Sequence, residues 1–282
     1  MSTMAEGLWP LLRRDRGALL AAALLSLLLL LILLGPLLSP YAVDSIDFDA
    51  DWAQPPQWAG RHWFGTDGLG RDVFVRSLEG GRVSLLVGIA ATAVSLLIGV
   101  AYGAIAGYFG GRLDELMMRA VDILYALPFL FLVILLMVLF GREFWLVFVA
   151  IGAINWLDMA RIVRGETLAL KQREFVLAAR ASGLGDFAIL WGQILPNLLG
   201  TVAVVATLTV PQVILTESFL SFLGLGVQEP ATSWGALVND GAREMERTPW
   251  TLLFPAGLLA LTLLCLNRLG DALSDALERG AD

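Results

Sequence analysis

The sequence predicts an all-α polytopic membrane protein with six transmembrane helices and both termini in the cytoplasm. Hydrophobic residues make up 57% of the 282 positions and charged residues 16%, and the mean hydropathy is +0.75. That balance lies outside the usual range of a soluble domain. Six segments are also long and apolar enough for a helix of roughly 20 residues, the length that crosses a hydrocarbon core of about 30 Å.

The six predicted spans follow runs that lack Asp, Glu, Lys and Arg. In chain order these runs are 17–43, 83–111, 123–141, 144–157, 187–216 and 250–267. The fourth run holds a span only if it includes Asp158 and continues to about residue 163. The fifth is broken by Pro196 and Asn197, so its span is placed at about 199–222. The second carries glycines every four residues, which predict a close-packing face: Gly99, Gly103 and Gly107.

An even number of spans places both termini on one side, and the basic residues favour the cytoplasm for that side. Twelve of the nineteen Lys and Arg residues then lie inside: Arg13, Arg14, Arg16, Arg112, Arg119, Arg161, Arg164, Lys171, Arg173, Arg180, Arg268 and Arg279. The predicted parts are a cytoplasmic segment 1–16, a first span 17–38, an extracytoplasmic loop 39–81, a five-helix core 82–270 and a cytoplasmic tail 271–282.

Motif content argues against an enzyme. The chain has neither a G-x-G-x-x-G fingerprint nor a Gly-Lys-Ser/Thr P-loop, so it is not expected to bind ATP by itself. One His and one Cys exclude most metal sites and a local Ser-His-Asp signature. The aspartates at 47, 49 and 51 start like a calcium loop, but Trp52 and Trp58 stand where that loop needs Gly and Glu. We expect no catalytic residue, metal site, cofactor or nucleic-acid partner.

Ionisable residues within the spans are candidate functional sites, because each is costly in lipid. Asp122 lies near the start of the third span, Asp158 in the fourth and Glu217 in the fifth. They could form a translocation path, and Asp158 with Glu217 could form the relay of a self-sufficient proton-coupled transporter. Two structural alternatives remain open: a hydrogen-bonded cluster of Asn155, Asp158 and Arg161, and polar packing of Glu217 between helices. The absence of an obvious inverted repeat argues against the proton-coupled alternative.

The inner loop 164–196 is too long for a simple connection, and its pattern predicts helix, turn and helix. Helix formers fill 172–182, and "GLG" at 183–185 supplies a stop. Asp186 is a plausible N-cap for a second short helix over 187–195, after which Pro196 interrupts the chain.

One face of the first predicted helix combines an aromatic with small residues. Phe175, Ala178, Ala179 and Ser182 share it by i, i+3, i+4, i+7 spacing. Such a face suits insertion into a groove of a partner protein. The alternative is an interfacial helix that lies on membrane lipid.

The same loop resembles the cytoplasmic loop motif of permease subunits in bacterial ABC importers, E-A-A, three residues, G, nine residues, I-x-L-P. The matching residues are Ala178, Ala179, Gly183, Leu195 and Pro196. The sequence departs at Leu177, where the family has Glu, and at Gln193, where it often has Ile. Three further stretches, "HWFGTDGLGRDVFVRSLEGGRVSLLVG", "ESFLSFLGLGVQEPATSWGALVNDG" and "LNRLGDALSDAL", resemble the C-type permease subunit of dipeptide, oligopeptide and nickel importers.

This resemblance implies a non-catalytic subunit in the bacterial inner membrane that takes peptides or similar small solutes, or nickel, inward. Its implied partners are a homologous B-type permease, two cytoplasmic ATPases and an extracytoplasmic substrate-binding protein. The inner loop resembles the coupling helix that contacts the ATPase, through Phe175, Leu177, Ala178, Ala179, Gly183, Asp186, Leu195 and Pro196. Contact with the binding protein, or a gate, is expected around Gly65, Asp67, Asp72, Gly224 and Trp234.

Overall fold

The computed structural model describes residues 15–47, 52–57, 62–141, 144–229 and 231–281. Over those residues the chain is helical and contains no strand, only isolated bridges, which confirms the predicted all-α class. The helices are α1 Arg16–Leu38, α2 Val73–Phe109, α3 Gly111–Tyr125, α4 Phe129–Phe140, α5 Phe144–Leu170, α6 Glu174–Ala181, α7 Asp186–Ile189, α8 Leu195–Phe222, α9 Trp234–Arg243 and α10 Pro249–Ala281. Most of the predicted segment 1–16, and the aspartates at 49 and 51, lie outside the described residues.

Four helical segments of the described chain are long and apolar enough to cross a membrane: Arg16–Leu38, Val73–Phe109, Asp186–Phe222 and Pro249–Leu277. Together α3 and α4 form a fifth if the bent pair is counted as one span. The 27 residues of α5 would extend for about 40 Å at 1.5 Å per residue. The chain is therefore polytopic, while the count of six spans and the cytoplasmic termini stay predictions.

The third predicted span is not one straight helix. α3 ends at Tyr125, α4 begins at Phe129, and the two are bent by 81°. Pro128 has extended backbone angles, φ −62° and ψ 122°, and proline also disfavours the α conformation in the residue before it. The run 123–141 is therefore broken at Pro128, and it holds a span only if the bent pair α3 and α4 counts as one.

Among the described helices, α2 packs most extensively against α5. A Cβ on Gly103 would lie 2.4 Å from the carbonyl oxygen of Ala160, and one on Gly107 would lie 2.8 Å from that of Arg164. Any larger side chain would push the backbones apart. This contact confirms the close-packing face that the glycine spacing predicts.

The outer loop passes into α2 earlier than the hydrophobic run suggests. α2 begins at Val73, and the side chain of Asp72 caps it by accepting a hydrogen bond from the Val75 N–H at 2.8 Å. Arg82, within this helix, donates to the carbonyl oxygens of Ile32 and Leu33 at 3.0 and 2.6 Å. The charged residues before the second hydrophobic run thus belong to a helix that is fastened to the end of α1.

Candidate functional site

The inner loop forms the helix-turn-helix that the sequence predicts. α6 covers Glu174–Ala181, and Gly183 follows it with φ +83°, a left-handed conformation that favours glycine. The N–H of Leu184 donates to the carbonyl of Ala179 at 3.2 Å and that of Gly183 to the carbonyl of Arg180 at 3.0 Å. These bonds close the end of α6, so the predicted role of Gly183 in the turn is confirmed.

Asp186 does not cap the second helix, contrary to the sequence prediction. Gly185 occupies the N-cap, and Asp186 is the first residue of α7. Its Oδ1 instead accepts a hydrogen bond from the Tyr108 hydroxyl at 2.7 Å, and Arg180 donates to the same hydroxyl at 3.3 Å. Because Tyr108 lies at the C-terminal end of α2, this polar group fastens the loop to the bundle.

Pro196 does not separate the loop from the fifth span either. One helical segment runs from Asp186 to Phe222, and 190–194 forms a π-helical turn in which the Leu195 N–H donates to the carbonyl of Leu190. Pro196 lies in the first turn of α8, where its missing N–H is tolerated. The Asn197 side chain donates to the carbonyl of Gln193 at 2.6 Å. The wider turn and this side-chain bond let the helix continue past the proline.

The two alanines of the motif differ in exposure, although they are neighbours on α6. Val176 is 0% exposed and Ala179 9%, and both pack in a cluster with Ile189 and Tyr108. Ala178 is exposed. The prediction that both alanines face a partner is therefore wrong for Ala179, because that residue faces the bundle.

Exposed apolar residues surround Ala178 in sequence on both sides of the turn. We call this group the inner apolar set: Phe175, Leu177, Ala178, Leu184, Phe187 and Trp191. Phe187 is 72% exposed and Trp191 57%, with ring centroids 6.0 Å apart. Sequence reasoning missed these two aromatics, although their i, i+4 spacing was a usable signal.

Glu217 is a packing residue at the outer end of α8. It is 0% exposed, and its carboxylate accepts hydrogen bonds from Ser221 at 2.6 Å and Ser84 at 3.0 Å. Ser84 also accepts the backbone N–H of Trp234 at 3.2 Å. This network joins α2, α8 and α9, as the helix-packing alternative predicts.

The other intramembrane candidates do not gather at one place. Arg161 pairs with Asp122 at 2.8 Å and stacks 4.4 Å from the Tyr125 ring, while Asn155 donates to the carbonyl of Ile151 at 2.9 Å. Asp158 is exposed. The expected cluster of Asn155, Asp158 and Arg161 is wrong, because the first and the last of these bond elsewhere.

Three of the five outer candidates are buried structural residues. Asp72 is 2% exposed, and its Oδ2 lies 2.8 Å from the Nδ1 of His62. Trp234 is 0% exposed, and its Nε1 donates to the carbonyl of Ser77 at 2.8 Å. A Cβ on Gly65 would lie 2.5 Å from the carbonyl oxygen of Gln54. The expectation of direct partner contact is therefore corrected for these three, because their side chains or Cβ positions face the protein interior.

The remaining outer candidates reach the surface. Gly224 is exposed, and Asp67 accepts a hydrogen bond from Arg71 at 2.7 Å. Arg71 also donates to Glu229 at 2.6 Å, and this bond holds the pKa of the Glu229 carboxyl below its usual value. A cleft of about 400 Å³, which sequence reasoning missed, opens beside this pair.

Comparison with known proteins decides the family. Residues 99–282, more than half of the chain, match the family described as binding-protein-dependent transport system inner membrane component. The chain belongs to this permease family. Residues 4–56 match the N-terminal transmembrane domain of oligopeptide transport permease C.

Individual permeases of the family are similar to nearly the whole chain. The oligopeptide transport system permease protein OppC of Haemophilus influenzae is 52% identical over 94% of this chain and 85% of its own length. OppC of Escherichia coli is 51% identical over 97% and 91%. The dipeptide transport system permease protein DppC of Bacillus subtilis is 46% identical over 96% and 84%. The chain is thus a multi-pass permease subunit of an ABC importer in the bacterial inner membrane.

Proposed function

We propose that this permease imports peptides or similar small solutes, driven by ATP that separate subunits hydrolyse. The names of the relatives support this substrate class, because both oligopeptide and dipeptide permeases are similar to the chain along most of its length. Because these relatives include both dipeptide and oligopeptide permeases, we infer that a separate binding protein selects the length of the peptide. The other proposed partners are a homologous B-type permease and two cytoplasmic ATPases.

The inner apolar set is the observation that carries the ATPase contact. Phe187 and Trp191 would be costly to leave in water, and small Ala178 permits close approach of a partner. Leu177, at the position where the family motif has Glu, is 52% exposed and adds apolar area. Exposed apolar residues of this kind fit a hydrophobic groove of a partner.

The anchoring of the loop supports a mechanical role for that contact. Val176 and Ala179 pack into the bundle, and Asp186 bonds to Tyr108. α7 then continues into α8 without a loop. Movement of an ATPase bound at this surface would therefore reach a membrane span through packed and hydrogen-bonded structure.

Ala178→Arg tests the proposal in the assembled transporter. We expect the variant to insert and fold normally, because Ala178 is exposed, but to lose co-purifying ATPase and most ATP-driven uptake. Gln172→Arg is the matched control, since it adds the same charge to an exposed loop position before α6. Normal ATPase recovery and uptake by Ala178→Arg would show that this face does not bind the ATPase.

The proton-coupled alternative is disfavoured by the family and by the position of Glu217. Its carboxylate already accepts bonds from Ser84 and Ser221 in a buried site. In sealed vesicles, uptake should follow ATP and persist when an uncoupler collapses the proton gradient. Uptake that follows the gradient and ignores ATP would overturn the ATP-driven proposal.

A further inference from the structure

The outer cleft is built from three separate parts of the chain. The loop before α2, the segment before α9, and α9 with the start of α10 enclose about 400 Å³, within the range of small-ligand sites. Seven charged residues of its lining carry the inference below: Asp67, Arg71, Arg76, Glu229, Asp240, Arg243 and Glu244.

Arg76 is a buried cation whose hydrogen-bonding capacity is largely unused. The residue is 3% exposed, and within the described residues its guanidinium makes one hydrogen bond, to the Val43 carbonyl at 3.4 Å. Arg76 forms ion pairs with Asp67 at 3.8 Å and with Glu229 at 3.7 Å, but these distances are too long for hydrogen bonds. A guanidinium carries five N–H donors, and a buried charge without such bonds is costly.

The two carboxylates within ion-pair distance of Arg76 are already hydrogen-bonded to Arg71. Asp67 lies 2.7 Å from the Nε of Arg71, and Glu229 lies 2.6 Å from one of its terminal nitrogens. Arg71 therefore holds both acids at the edge of the cleft. The donors of Arg76 are left for an anion that comes from outside the chain.

The other charges restrict the class of that anion. Asp240 and Arg243 also line the cleft and form no ion pair with the residues that the structure describes. Desolvation raises the pKa of the Asp240 carboxyl, although the neighbouring arginines oppose the shift. Together with Asp67, Glu229 and Glu244, Asp240 would repel a multiply charged anion such as phosphate. A ligand with one carboxylate and one cationic group would instead find a partner of opposite charge for each group in this lining.

We propose that this cleft binds a small zwitterion of short-peptide size, with its carboxylate on Arg76 and its ammonium group beside Asp240. The charge pattern of the cleft indicates a zwitterion, independently of the proposed function. The choice of a peptide among zwitterions rests on the proposed function. The site would hold solute on the predicted outer side of the permease, independently of the binding protein.

Direct binding to the assembled transporter in nanodiscs tests the site, without ATP and without binding protein. The probe is labelled tri-alanine, compared with its C-terminal amide and its N-acetyl form. We expect saturable binding that weakens about tenfold or more when either terminal charge is removed, since a charge-assisted hydrogen bond or ion pair is lost with it. Equal binding of tri-alanine and its amide, or no binding to the wild type, would overturn the proposal.

Single substitutions test separately whether Arg76 binds the carboxylate and whether Asp240 binds the ammonium group. Arg76→Gln should abolish the preference for tri-alanine over its amide, and Arg76→Lys should restore part of it. Asp240→Asn should weaken tri-alanine but not N-acetyl-tri-alanine. Arg247→Gln, which removes a basic residue outside this lining, is the control and should bind like the wild type. Should Arg76→Gln fail to assemble, the three ligands on the wild type and Asp240→Asn still decide.

Two further outcomes separate this site from the proposed function. ATP-driven uptake of tri-alanine with no cleft binding would refute the cleft alone. Cleft binding with no ATP-driven uptake would refute the proposed function and retain the site. If an Arg243→Cys variant instead forms a disulfide with a cysteine introduced into the binding protein and tri-alanine does not compete, the cleft is a protein contact and the proposal fails.

Discussion

The inner loop and the outer segments present similar sequence signals but differ in what they expose. Both combine glycine turns with aromatic residues. On the outer side, Trp234 is buried, bonded through Nε1 and packed at the centre of a network with Glu217. On the inner side, Phe187 and Trp191 remain exposed although the backbone that carries them is firmly anchored. A glycine beside an aromatic can thus mark internal packing or a contact surface, and burial distinguishes the two.

Replacing one tryptophan of each region with alanine tests this contrast and has the largest expected effect. Trp234→Ala should lower the free energy of unfolding by about 3–5 kcal/mol, because it empties a fully buried site. Trp191→Ala removes an exposed ring and should change it by less than about 0.5 kcal/mol, while reducing ATPase recovery. Denaturant unfolding of the detergent-solubilised protein measures both. Comparable destabilisation by the two variants would break the distinction.

A pair of alanine substitutions sharpens the comparison within the inner loop. Ala179→Leu should destabilise by about 1–3 kcal/mol through overpacking of the cluster with Val176 and Ile189. Ala178→Leu should leave stability within about 0.5 kcal/mol of the wild type and act on ATPase binding instead. Unfolding and pull-down measurements on the same preparations separate these effects. A stability loss at Ala178 that equals the loss at Ala179 contradicts the assigned faces.

The smallest expected effect concerns the outer ion pair of Arg71 with Glu229. Since the folded pKa of Glu229 lies below its ordinary 4.5, the pair stabilises the fold above that pH, and this stabilisation is lost as pH falls through the folded pKa. Glu229→Gln should therefore cost under about 1 kcal/mol at pH 7, as for an exposed pair, and the difference from wild type should vanish in acid. Glu246→Gln, at an acid with no ion pair in the described residues, is the control. A difference that grows on acidification would contradict the pairing.

The sequence predicted the features that depend on composition and local backbone. The apolar runs predicted a polytopic helical chain, Gly183 predicted the turn after α6, and the glycines of the second run predicted the close-packing face that α2 presents to α5. Each of these follows from length, side-chain volume or a positive φ angle. Such properties belong to a few neighbouring residues and do not require knowledge of the whole bundle.

Features that depend on tertiary partners could not be predicted in this way. Helical spacing placed Ala178 and Ala179 together, but the contact of α6 with the bundle turned Ala179 inward. Asp186 is a residue type that is common at the N-cap of a helix. Its carboxylate instead accepts a hydrogen bond from Tyr108, which is far away in sequence. Pro196 was predicted to interrupt the helix, because the sequence does not reveal the π-helical turn that precedes it.

The helical segment Asp186–Phe222 connects the inner loop directly to a membrane span. Its 37 residues extend for about 55 Å at 1.5 Å per residue, and α8 within it packs against α2 and α10. One helical segment therefore joins Phe187 in the loop to Ser221 beside the Glu217 carboxylate. A tilt of that segment would move both of these places together.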